Sequence, residues 1–358
     1  MKLFVWVTMA ISVVTASSAS WSVRVLHSPG LQESYALGSS THHQAGYIIR
    51  NNRVHASMWN SSSSSLVDLH PEGTHSSMAF GATHLQQVGR VDDNGRSMAS
   101  LWSGTSSSWV NLNPQGIENA GALATDGASQ VGYTIPFQME AAIWQGSAAS
   151  HRSLHPNGAE NSHAVAVAGA IQVGTVSFPG SRRAGYWRGT AESWTPMLQG
   201  GTSSVAYGSD GKSIVGHAVN DFIKASLWDI ATETWTDLNP TGSLFSEALD
   251  VDGNFQVGFV STGGPSRAFF WAGTPTSGIN LQSSLPNRFI GSVASSIAVS
   301  SSEIVVSGYA YTSDRNQAEA VQWIHPVPEP GTIAAALTGL AFYARRRARK
   351  NLKAQKTP

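Results

Sequence analysis

The sequence predicts an all-β protein that folds as a seven-bladed β-propeller, a closed ring of blades with four antiparallel strands each. One motif recurs seven times at steps of about 42 residues, which is the period of a single four-stranded blade. The chain also contains 35 glycines and only 12% charged residues, a composition typical of short strands joined by turns. The last repeat lacks its fourth strand, and the N-terminal segment resembles the missing piece.

Four positions mark each repeat. A glycine ends a Gln-Val-Gly-like string, an alanine stands ten residues before it, and an Ala-x-x-Trp string follows. The glycines are Gly46, Gly89, Gly132, Gly174, Gly216, Gly258 and Gly308. The alanines are Ala36, Ala79, Ala122, Ala164, Ala206, Ala248 and Ala298, and the tryptophans are Trp59, Trp102, Trp144, Trp187, Trp228, Trp271 and Trp323. We expect the alanines and glycines to let neighbouring sheets approach closely, and the tryptophans to fill the space between blades.

A fifth position indicates how the ring closes. Six leucines follow their tryptophans by 10 or 11 residues: Leu69, Leu112, Leu154, Leu198, Leu238 and Leu281. No such leucine follows Trp323, but Leu26 stands ten residues before Ala36. The segment from Trp21 to Leu26 is therefore predicted to be the outermost strand of the seventh blade. An open solenoid would need polar caps at its ends, so this permutation favours a ring.

The order of these positions predicts the place of each strand. By analogy with other propellers, the first strand of each repeat is expected to line the central channel. Asp126, Asp210 and Asp252 each precede a glycine between first and second strands, where a tight hairpin favours Asp-Gly. The seventh repeat carries an insertion from Gln282 to Ser295, so we expect its blade to be the least stable. The repeats resemble the HAF-type extracellular repeats of bacterial proteins, which are read as propeller blades.

Residues 1–20 are interpreted as a secretory signal peptide. A basic start at Lys2 precedes an apolar core from Leu3 to Val14, and residues 18–20 are small, as a signal peptidase requires. The apolar run is too short to span a membrane comfortably. We therefore expect export, cleavage before Trp21 and a propeller domain over residues 21–326.

Residues 327–358 have the three parts of a sorting tail. Pro328, Glu329 and Pro330 precede a largely apolar stretch from Thr332 to Ala344, and three arginines follow it: Arg345, Arg346 and Arg347. In order and spacing these parts resemble the PEP-CTERM sorting signal. The resemblance implies a short hydrophobic helix, transient membrane association, and a membrane-embedded exosortase as partner in bacteria that make exopolysaccharide. The apolar stretch has about 13 residues, fewer than the roughly 20 that span a bilayer.

The charge of the chain and the motifs that it lacks argue against several classes of function. Between residues 21 and 326 the chain has 14 basic and 21 acidic residues, a formal charge of −7, so no nucleic-acid partner is expected. The chain has no cysteine and no common catalytic or nucleotide-binding motif, so we expect no cofactor and no metal. Residues 250–254 resemble the start of a calcium loop, but they lack the distant Glu and fall on a repeat turn.

The histidines are interpreted as structural. His70 and His155 occupy a slot where another repeat has Asn113, and His and Asn both tolerate turn conformations. His42 and His43 are expected on a strand, where adjacent side chains point to opposite faces and cannot chelate one ion.

One charge pattern suggests a binding face. Nine of the 14 basic residues fall in the connections between second and third strands: Arg50, Arg53, Arg90, Arg96, Arg182, Arg183, Lys224, Arg267 and Arg315. Six are candidate ligand-binding residues: Arg53, Arg96, Arg183, Lys224, Arg267 and Arg315. The connections that carry Glu33, Glu72, Glu118 and Glu160 should share this face. Such a face could bind a polysaccharide, since variable loops on a rigid scaffold often carry binding, or it could be a solvated face with compensating charges.

Three functions fit the sequence. The leading hypothesis is a non-catalytic surface or matrix protein that presents a propeller face to extracellular polysaccharide or to another surface protein. The alternative is a polysaccharide-active enzyme, a glycoside hydrolase or lyase with its site at the channel mouth. A glycosidase needs two carboxylates about 5 to 10 Å apart, one with a raised pKa, and the first strands repeat Ala and Ser instead. The third hypothesis is a purely structural, lattice-like role.

Overall fold

A computed structural model of the chain describes residues 20–314 and 317–327. Within these residues seven four-stranded antiparallel sheets follow one another along the chain, which confirms the predicted propeller. No helix in this part of the chain is long and apolar enough to cross a membrane. The predicted signal peptide and the predicted C-terminal helix lie outside the described residues.

Blades one to four each use consecutive strands. Blade one is β2 (Glu33–Ser39), β3 (Gln44–Arg50), β4 (Arg53–Trp59) and β5 (Val67–Asp68). Blade two is β6 (Ser76–Ala82), β7 (Gln87–Asp93), β8 (Arg96–Trp102) and β9 (Val110–Asn111). Blade three is β10 (Ala120–Thr125), β11 (Gln130–Thr134), β12 (Glu140–Trp144) and β13 (Arg152–Ser153). Blade four is β14 (Asn161–Ala168), β15 (Ile171–Phe178), β16 (Ser181–Trp187) and β17 (Thr195–Pro196).

The last blade takes its outermost strand from the other end of the chain. Blade five is β18 (Ser203–Ser209), β19 (Ser213–Asn220), β20 (Phe222–Asp229) and β21 (Trp235–Asp237). Blade six is β22 (Phe245–Asp252), β23 (Phe255–Ser261), β24 (Arg267–Trp271) and β25 (Ile279–Asn280). Blade seven is β26 (Phe289–Val299), β27 (Glu303–Thr312), β28 (Ala318–Pro326) and β1 (Ser22–Val25). Short 3₁₀ segments are Ser63–Ser65, Ser106–Ser108, Ala148–Ser150, Ala191–Ser193, Pro275–Ser277 and Leu281–Ser284.

The two ends of the strands form the two faces of the ring. The turn face carries the turns between first and second strands, such as residues 40–43, and the 3₁₀ segments that follow most of the repeat tryptophans. The connection face carries the turns between second and third strands, such as residues 51–52, and the connection from each blade to the next.

The repeat tryptophans fill the interfaces between blades, as predicted. All seven are fully buried. Trp59 packs against Leu26 and Ala320 of blade seven, and Trp102 packs against Leu69 of blade one. Each tryptophan therefore ties its blade to the preceding blade through a large apolar surface.

The repeat glycines act inside a blade rather than between neighbouring sheets, which corrects the prediction. Gly46 of β3 pairs with Ala36 of β2, where β2 has a bulge before Gly38. A Cβ at Gly46 would overlap the carbonyl oxygen of Tyr35. The close approach between blades falls to Gly38 instead, where a Cβ would lie 2.5 Å from the carbonyl oxygen of Phe80. The bulge brings the backbone of β2 close to that of β6 in the next blade. This contact has room only because Gly38 has no side chain.

Serines on the first strands join successive blades by hydrogen bonds. The hydroxyl oxygen of Ser77 accepts the backbone N–H of Ala56, at 2.9 Å. Five other interfaces repeat this bond between the corresponding residues: Ser34 and Ala320, Ser162 and Ala141, Ser204 and Ala184, Ser246 and Ala225, Ser292 and Ala268. Blade three has Ala120 at the serine position, and Asn113 Oδ1 accepts the N–H of Ala99 there instead, at 2.8 Å.

The ring closes as the sequence predicted. β1 pairs antiparallel with β28, with Val23 opposite Trp323. The N–H of Leu26 donates to the carbonyl oxygen of Ala320 at 2.8 Å, and the Leu26 side chain is fully buried. Trp21 adds an edge-on contact with Phe270 of blade six, with ring centroids 5.1 Å apart. The N-terminal strand thus completes blade seven.

Both ends of the described chain lie at the turn face of blade seven. Ser22, which begins β1, is opposite Ile324, near the end of β28. After β28, the N–H of Val327 donates to the carbonyl oxygen of Ser302, which lies in the turn between β26 and β27, at 2.8 Å.

The fourth repeat departs from the predicted leucine position. Met197, and not Leu198, occupies the core site: it is 2% exposed, and its N–H donates to the carbonyl oxygen of Ala184 at 2.8 Å. Leu69 makes the equivalent bond to Ala56 in blade one. Leu198 is 72% exposed. The fold keeps the spacing of ten residues from the tryptophan, because that spacing brings the side chain to the same depth in every blade.

The insertion in the seventh repeat appears as longer strands. A 3₁₀ turn at Leu281–Ser284 precedes β26, which has 11 residues and an additional irregularity between Phe289 and Gly291. The lower stability expected of this blade stays a prediction.

Candidate functional site

The predicted ligand-binding cations share the connection face but are spread around the ring. Five of them lie at or near the start of the third strand of blades one, two, four, five and six: Arg53, Arg96, Arg183, Lys224 and Arg267. Arg315 lies outside the described residues, as do the sorting-motif residues Pro328, Glu329, Pro330, Arg345, Arg346 and Arg347. Arg90 lies inside β7 rather than in a connection, because that strand continues to Asp93.

Several of these cations already have partners in their own surroundings. Arg96 Nη2 lies 3.0 Å from Glu118 Oε1, with both side chains more than 60% exposed. Lys224 Nζ lies 3.3 Å from Asp237 Oδ2. Arg183 Nη1 donates to a backbone carbonyl at 2.7 Å. These contacts match an ordinary solvated face, where an exposed ion pair contributes little.

Blade one differs, because its cations line a cleft. A cavity of about 620 Å³ lies between blades one and two on the connection face. Arg50 and Arg53 stand at the end of the β3–β4 hairpin, and the connection to blade two faces them. The remaining lining residues are Asn51, His55, His70, Glu72, Gly73, Thr74, His75 and Asp93. We call this region the basic cleft.

The hairpin that carries the two arginines is tightly built. Arg50 and Arg53 are directly opposite each other across β3 and β4. Asn51 and Asn52 between them have φ of 52° and 59°, the left-handed conformation that a two-residue hairpin requires and that Asn tolerates. Gln32 fixes the turn, donating to Asn52 Oδ1 at 2.6 Å and accepting the Asn52 N–H at 2.7 Å.

Two stacked imidazoles form one wall of the basic cleft. The rings of His55 and His70 lie 4.1 Å apart and are nearly parallel. His55 Nδ1 is 2.8 Å from Asp68 Oδ2, and His70 Nδ1 is 2.8 Å from Ser77 Oγ. Burial, together with the neighbouring His55, lowers the pKa of His70. His70 is therefore neutral near pH 7 and presents an uncharged flat ring.

The turn role predicted for His70 and His155 is part of a wider pattern. His155 Nδ1 lies 2.7 Å from Ser162 Oγ, the hydroxyl that also accepts the N–H of Ala141. His70 has the same relation to Ser77. His27 and Asn239 repeat it with Ser34 and Ser246. These residues therefore orient the serines that join the blades. Each of the four stands seven residues before its serine, and this constant spacing was the sequence signal for the contact.

The first strands line the central channel, as predicted, and they bring carboxylates into it. A cavity of about 430 Å³ opens there, lined by the ends of all seven first strands and their turns. Asp210, Asp250 and Asp252 are among its lining residues, with hydroxyls from Ser39 and Ser296. The expectation that the first strands offer no obvious inward pair of carboxylates is therefore wrong, because Asp250 and Asp252 both lie on β22. Asp250 of blade six and Ser296 of blade seven occupy the position where the other blades have Gly or Ala.

The channel carboxylates of blade six are engaged by blade seven. Asp250 Oδ2 accepts the Ser296 hydroxyl at 2.8 Å and the Ile297 N–H at 2.9 Å. Asp252 Oδ2 accepts the Val299 N–H at 2.7 Å. Burial raises the pKa of Asp250 to about 6 despite these donors, and burial also raises the pKa of Asp252. The two acids join blades six and seven beside the channel.

His42 and His43 lie in the β2–β3 turn and not on a strand. Their rings lie 5.3 and 5.4 Å from that of His84, in the corresponding turn of blade two. Among residues 20–314 and 317–327, no group of three side chains is arranged to hold a metal ion.

The C-terminal segment matches a known sorting signal. Residues 326–350 match the PEP-CTERM protein-sorting motif. This motif indicates export, sorting to the cell surface and processing by an exosortase-type enzyme. No curated protein matches the chain in sequence, and the resemblance to HAF-type repeats stays a prediction.

Solved propellers are similar in fold at very low identity. The β-propeller domain of the Trilobed protease from Pyrococcus furiosus, described as having an open velcro topology, has a TM-score of 0.55 and 10% identity over 82% of this chain and 94% of that one. An oligogalacturonate lyase in complex with manganese has a TM-score of 0.55 and 9% identity over 87% and 94%. A mutant puromycin hydrolase has a TM-score of 0.55 and 9% identity over 83% of this chain. This chain spans only 56% of that hydrolase. At such identities the likeness shows the fold alone. Taken together with the sorting motif, it makes the chain an exported, PEP-CTERM-sorted protein with a β-propeller fold.

Proposed function

We propose that the propeller is a non-catalytic binding protein of the cell surface or its extracellular matrix. Its ligand would be an extracellular polysaccharide or another surface protein, held on the connection face. In this proposal an exosortase-type enzyme is the sorting partner, and the tail associates with the membrane only transiently.

The observation that carries the proposal is the contrast between the two candidate regions. In the channel, Asp250 and Asp252 accept hydrogen bonds from blade seven and serve the packing of the ring. In the basic cleft, Arg50 and Arg53 line a cavity open to solvent, and neither side chain has a hydrogen bond or ion pair among the described residues. Unpaired cations in a cavity are free to bind a ligand. Acids that accept hydrogen bonds from their neighbours cannot easily exchange protons with a ligand.

One observation favours the alternative, a polysaccharide-active enzyme. Glycoside hydrolases use two nearby carboxyl groups, one with a raised pKa. The channel brings Asp210, Asp250 and Asp252 to one cavity, and the pKa of Asp250 is raised to about 6. A hydrolase or lyase with its site at the channel mouth would use these acids.

One experiment separates the two proposals. Purified protein is incubated with extracellular polysaccharide, and both the bound fraction and the release of new chain ends are measured. Binding without new chain ends supports the binding protein. Chain cleavage that is lost in Asp250→Asn, while the protein stays folded, would establish the enzyme instead. Absence of both binding and cleavage, with surface proteins also failing to bind, would leave the structural role.

A further inference from the structure

The basic cleft contains two cations that no other described side chain pairs with. Among residues 20–314 and 317–327, the guanidinium groups of Arg50 and Arg53 make no hydrogen bond and no ion pair. Asp68, the nearby acid of β5, is engaged by His55. At the corresponding hairpin of blade two, Arg96 pairs with Glu118. The cleft therefore keeps two cations available where the neighbouring blade neutralises its own.

The pairing of the arginines is unfavourable for the fold. Arg50 and Arg53 are directly opposite across the hairpin, and like charges in that arrangement repel each other. In blade two the same pair of positions is Asp93 and Arg96, which attract. An anion between the two guanidinium groups would relieve the repulsion in blade one and gain charge-assisted hydrogen bonds.

The cleft also contains groups that a simple anion site would avoid. Glu72 and Asp93 line the same cavity and would repel a phosphate chain or an acidic peptide. A ligand rich in hydroxyl groups can instead donate hydrogen bonds to these carboxylates. The stacked rings of His55 and His70 add a flat surface against which a sugar ring can pack. The lining therefore suits a ligand that has carboxylates, hydroxyls and a ring.

We propose that the basic cleft binds a uronate segment of an acidic polysaccharide. Arg50 and Arg53 bind the sugar carboxylate, Glu72 and Asp93 accept its hydroxyl groups, and the His55–His70 stack supports the ring. This assignment rests on the binding function proposed above and names its ligand class and its site.

The test measures the affinity of the full chain, in mild detergent, for alginate fragments by calorimetry. We expect the double substitution Arg50→Gln and Arg53→Gln to weaken binding by roughly tenfold or more, because an arginine that anchors a ligand is typically worth more than 1 kcal/mol. The matched control is the double substitution Arg152→Gln and Lys212→Gln: it removes the same number of charges from exposed residues outside the cleft lining, and we expect a change below about twofold. Equal melting temperatures check that the variants are folded.

A second variant tests the mixed chemistry of the cleft. Glu72→Gln should strengthen binding of polyglutamate more than binding of alginate, since a repelling charge is removed for both polymers but only alginate loses a hydroxyl acceptor. Polyglutamate or neutral dextran bound as tightly as alginate by the unchanged protein would overturn the uronate assignment. Alginate bound equally by the double variant would overturn the cleft as the site, while leaving the binding function intact. No binding to any polysaccharide or surface protein would refute both proposals.

Discussion

At the scale of single residues, small side chains at fixed places set how closely the strands pack. Gly174 of β15 pairs with Ala164 of β14 beside a bulge, and a Cβ at Gly174 would overlap the carbonyl oxygen of His163. That atom belongs to the backbone and cannot move without disturbing the strand. Gly264, in the β23–β24 turn, has no heavy atom within 4 Å of the place where its Cβ would lie.

These two glycines predict opposite results. Gly174→Ala should lower the free energy of unfolding by about 1–3 kcal/mol or more, because overpacking forces backbone shifts. Gly264→Ala should change it by no more than about 0.5 kcal/mol, as exposed substitutions usually do. Urea unfolding of both variants measures the difference, and equal midpoints would contradict the packing role.

Asp250 predicts a pH dependence of stability. Its pKa is raised to about 6 in the folded protein from 3.8, so the folded state holds the extra proton between these values. Its contribution to the free energy of unfolding is therefore fully present below about pH 4 and is lost as pH rises through 6, a loss of roughly 2–3 kcal/mol. Asp250→Asn should remove this slope, so the variant gains stability relative to the unchanged protein between pH 4 and 7.

Unfolding curves at pH 4.5 and 7.5 measure this gain. The control is Asp229→Asn at the end of β20 in blade five, where hydrogen bonds from Thr232 lower the pKa of the carboxyl. Because this pKa lies below the ordinary value of 3.8, Asp229 stays ionised from pH 4.5 to 7.5, and Asp229→Asn should leave the pH dependence over that range unchanged. A variant at Asp250 that keeps the slope of the unchanged protein would assign the pH dependence to other groups.

At the scale of elements, the ring depends on a strand of four residues. β1 supplies the outer edge of blade seven, and Leu26 just after it is enclosed with Trp59 and Ala320 in the interface between blades seven and one. Without β1, the outer edge of β28 would be unpaired and this interface would lose its leucine.

Deletion of residues 21–27 should therefore lower the melting temperature of the protein substantially. Burying one leucine is worth roughly 1.5–3 kcal/mol, against a total stability of typically about 5–15 kcal/mol. A matched pair isolates the side chain: Leu26→Ala should cost about 2–5 kcal/mol, whereas Leu198→Ala, which alters an exposed leucine, should cost little. An unchanged melting temperature in the deletion would show that β1 does not close the ring.

Repeats made the elements predictable, while contacts between repeats remained hidden. Seven copies of Gly, Ala and Trp at constant spacing gave the blade count, the strand order and the closing role of Leu26. The sequence prediction accepted a spacing of 10 or 11 residues from the tryptophan, and it therefore assigned Leu198 instead of Met197 to the core. The bulge that turns Asp250 into the channel depends on pairing with β23, which the sequence does not display. The basic cleft forms where the β3–β4 hairpin of blade one meets the connection to blade two, a contact that the sequence does not display. Of its lining residues, only Arg53 was therefore among the six candidate ligand-binding residues.

At the scale of the whole molecule, export predicts a processed chain. The sorting motif at residues 326–350 indicates surface sorting, and the expected signal peptide ends at residue 20. Mass spectrometry of surface material should find an N-terminus near Trp21 and no peptides beyond about Pro330. Intact protein recovered from the cytoplasm with both ends present would contradict this expectation. A variant with Glu329→Gln in the sorting motif is expected to accumulate with its tail uncut.

Both ends of the described chain lie on the turn face of blade seven, and this placement bears on how the ring would be presented on a cell. β28 ends at Pro326 on the turn face, and the described chain reaches Val327 on that side of blade seven. If the ring were held by this end, its turn face would lie toward the envelope and its connection face toward the surroundings. The basic cleft, in the blade next to the tether, would then look outward. Removal of the tail beyond Pro330 would free the molecule without cutting any strand of the ring.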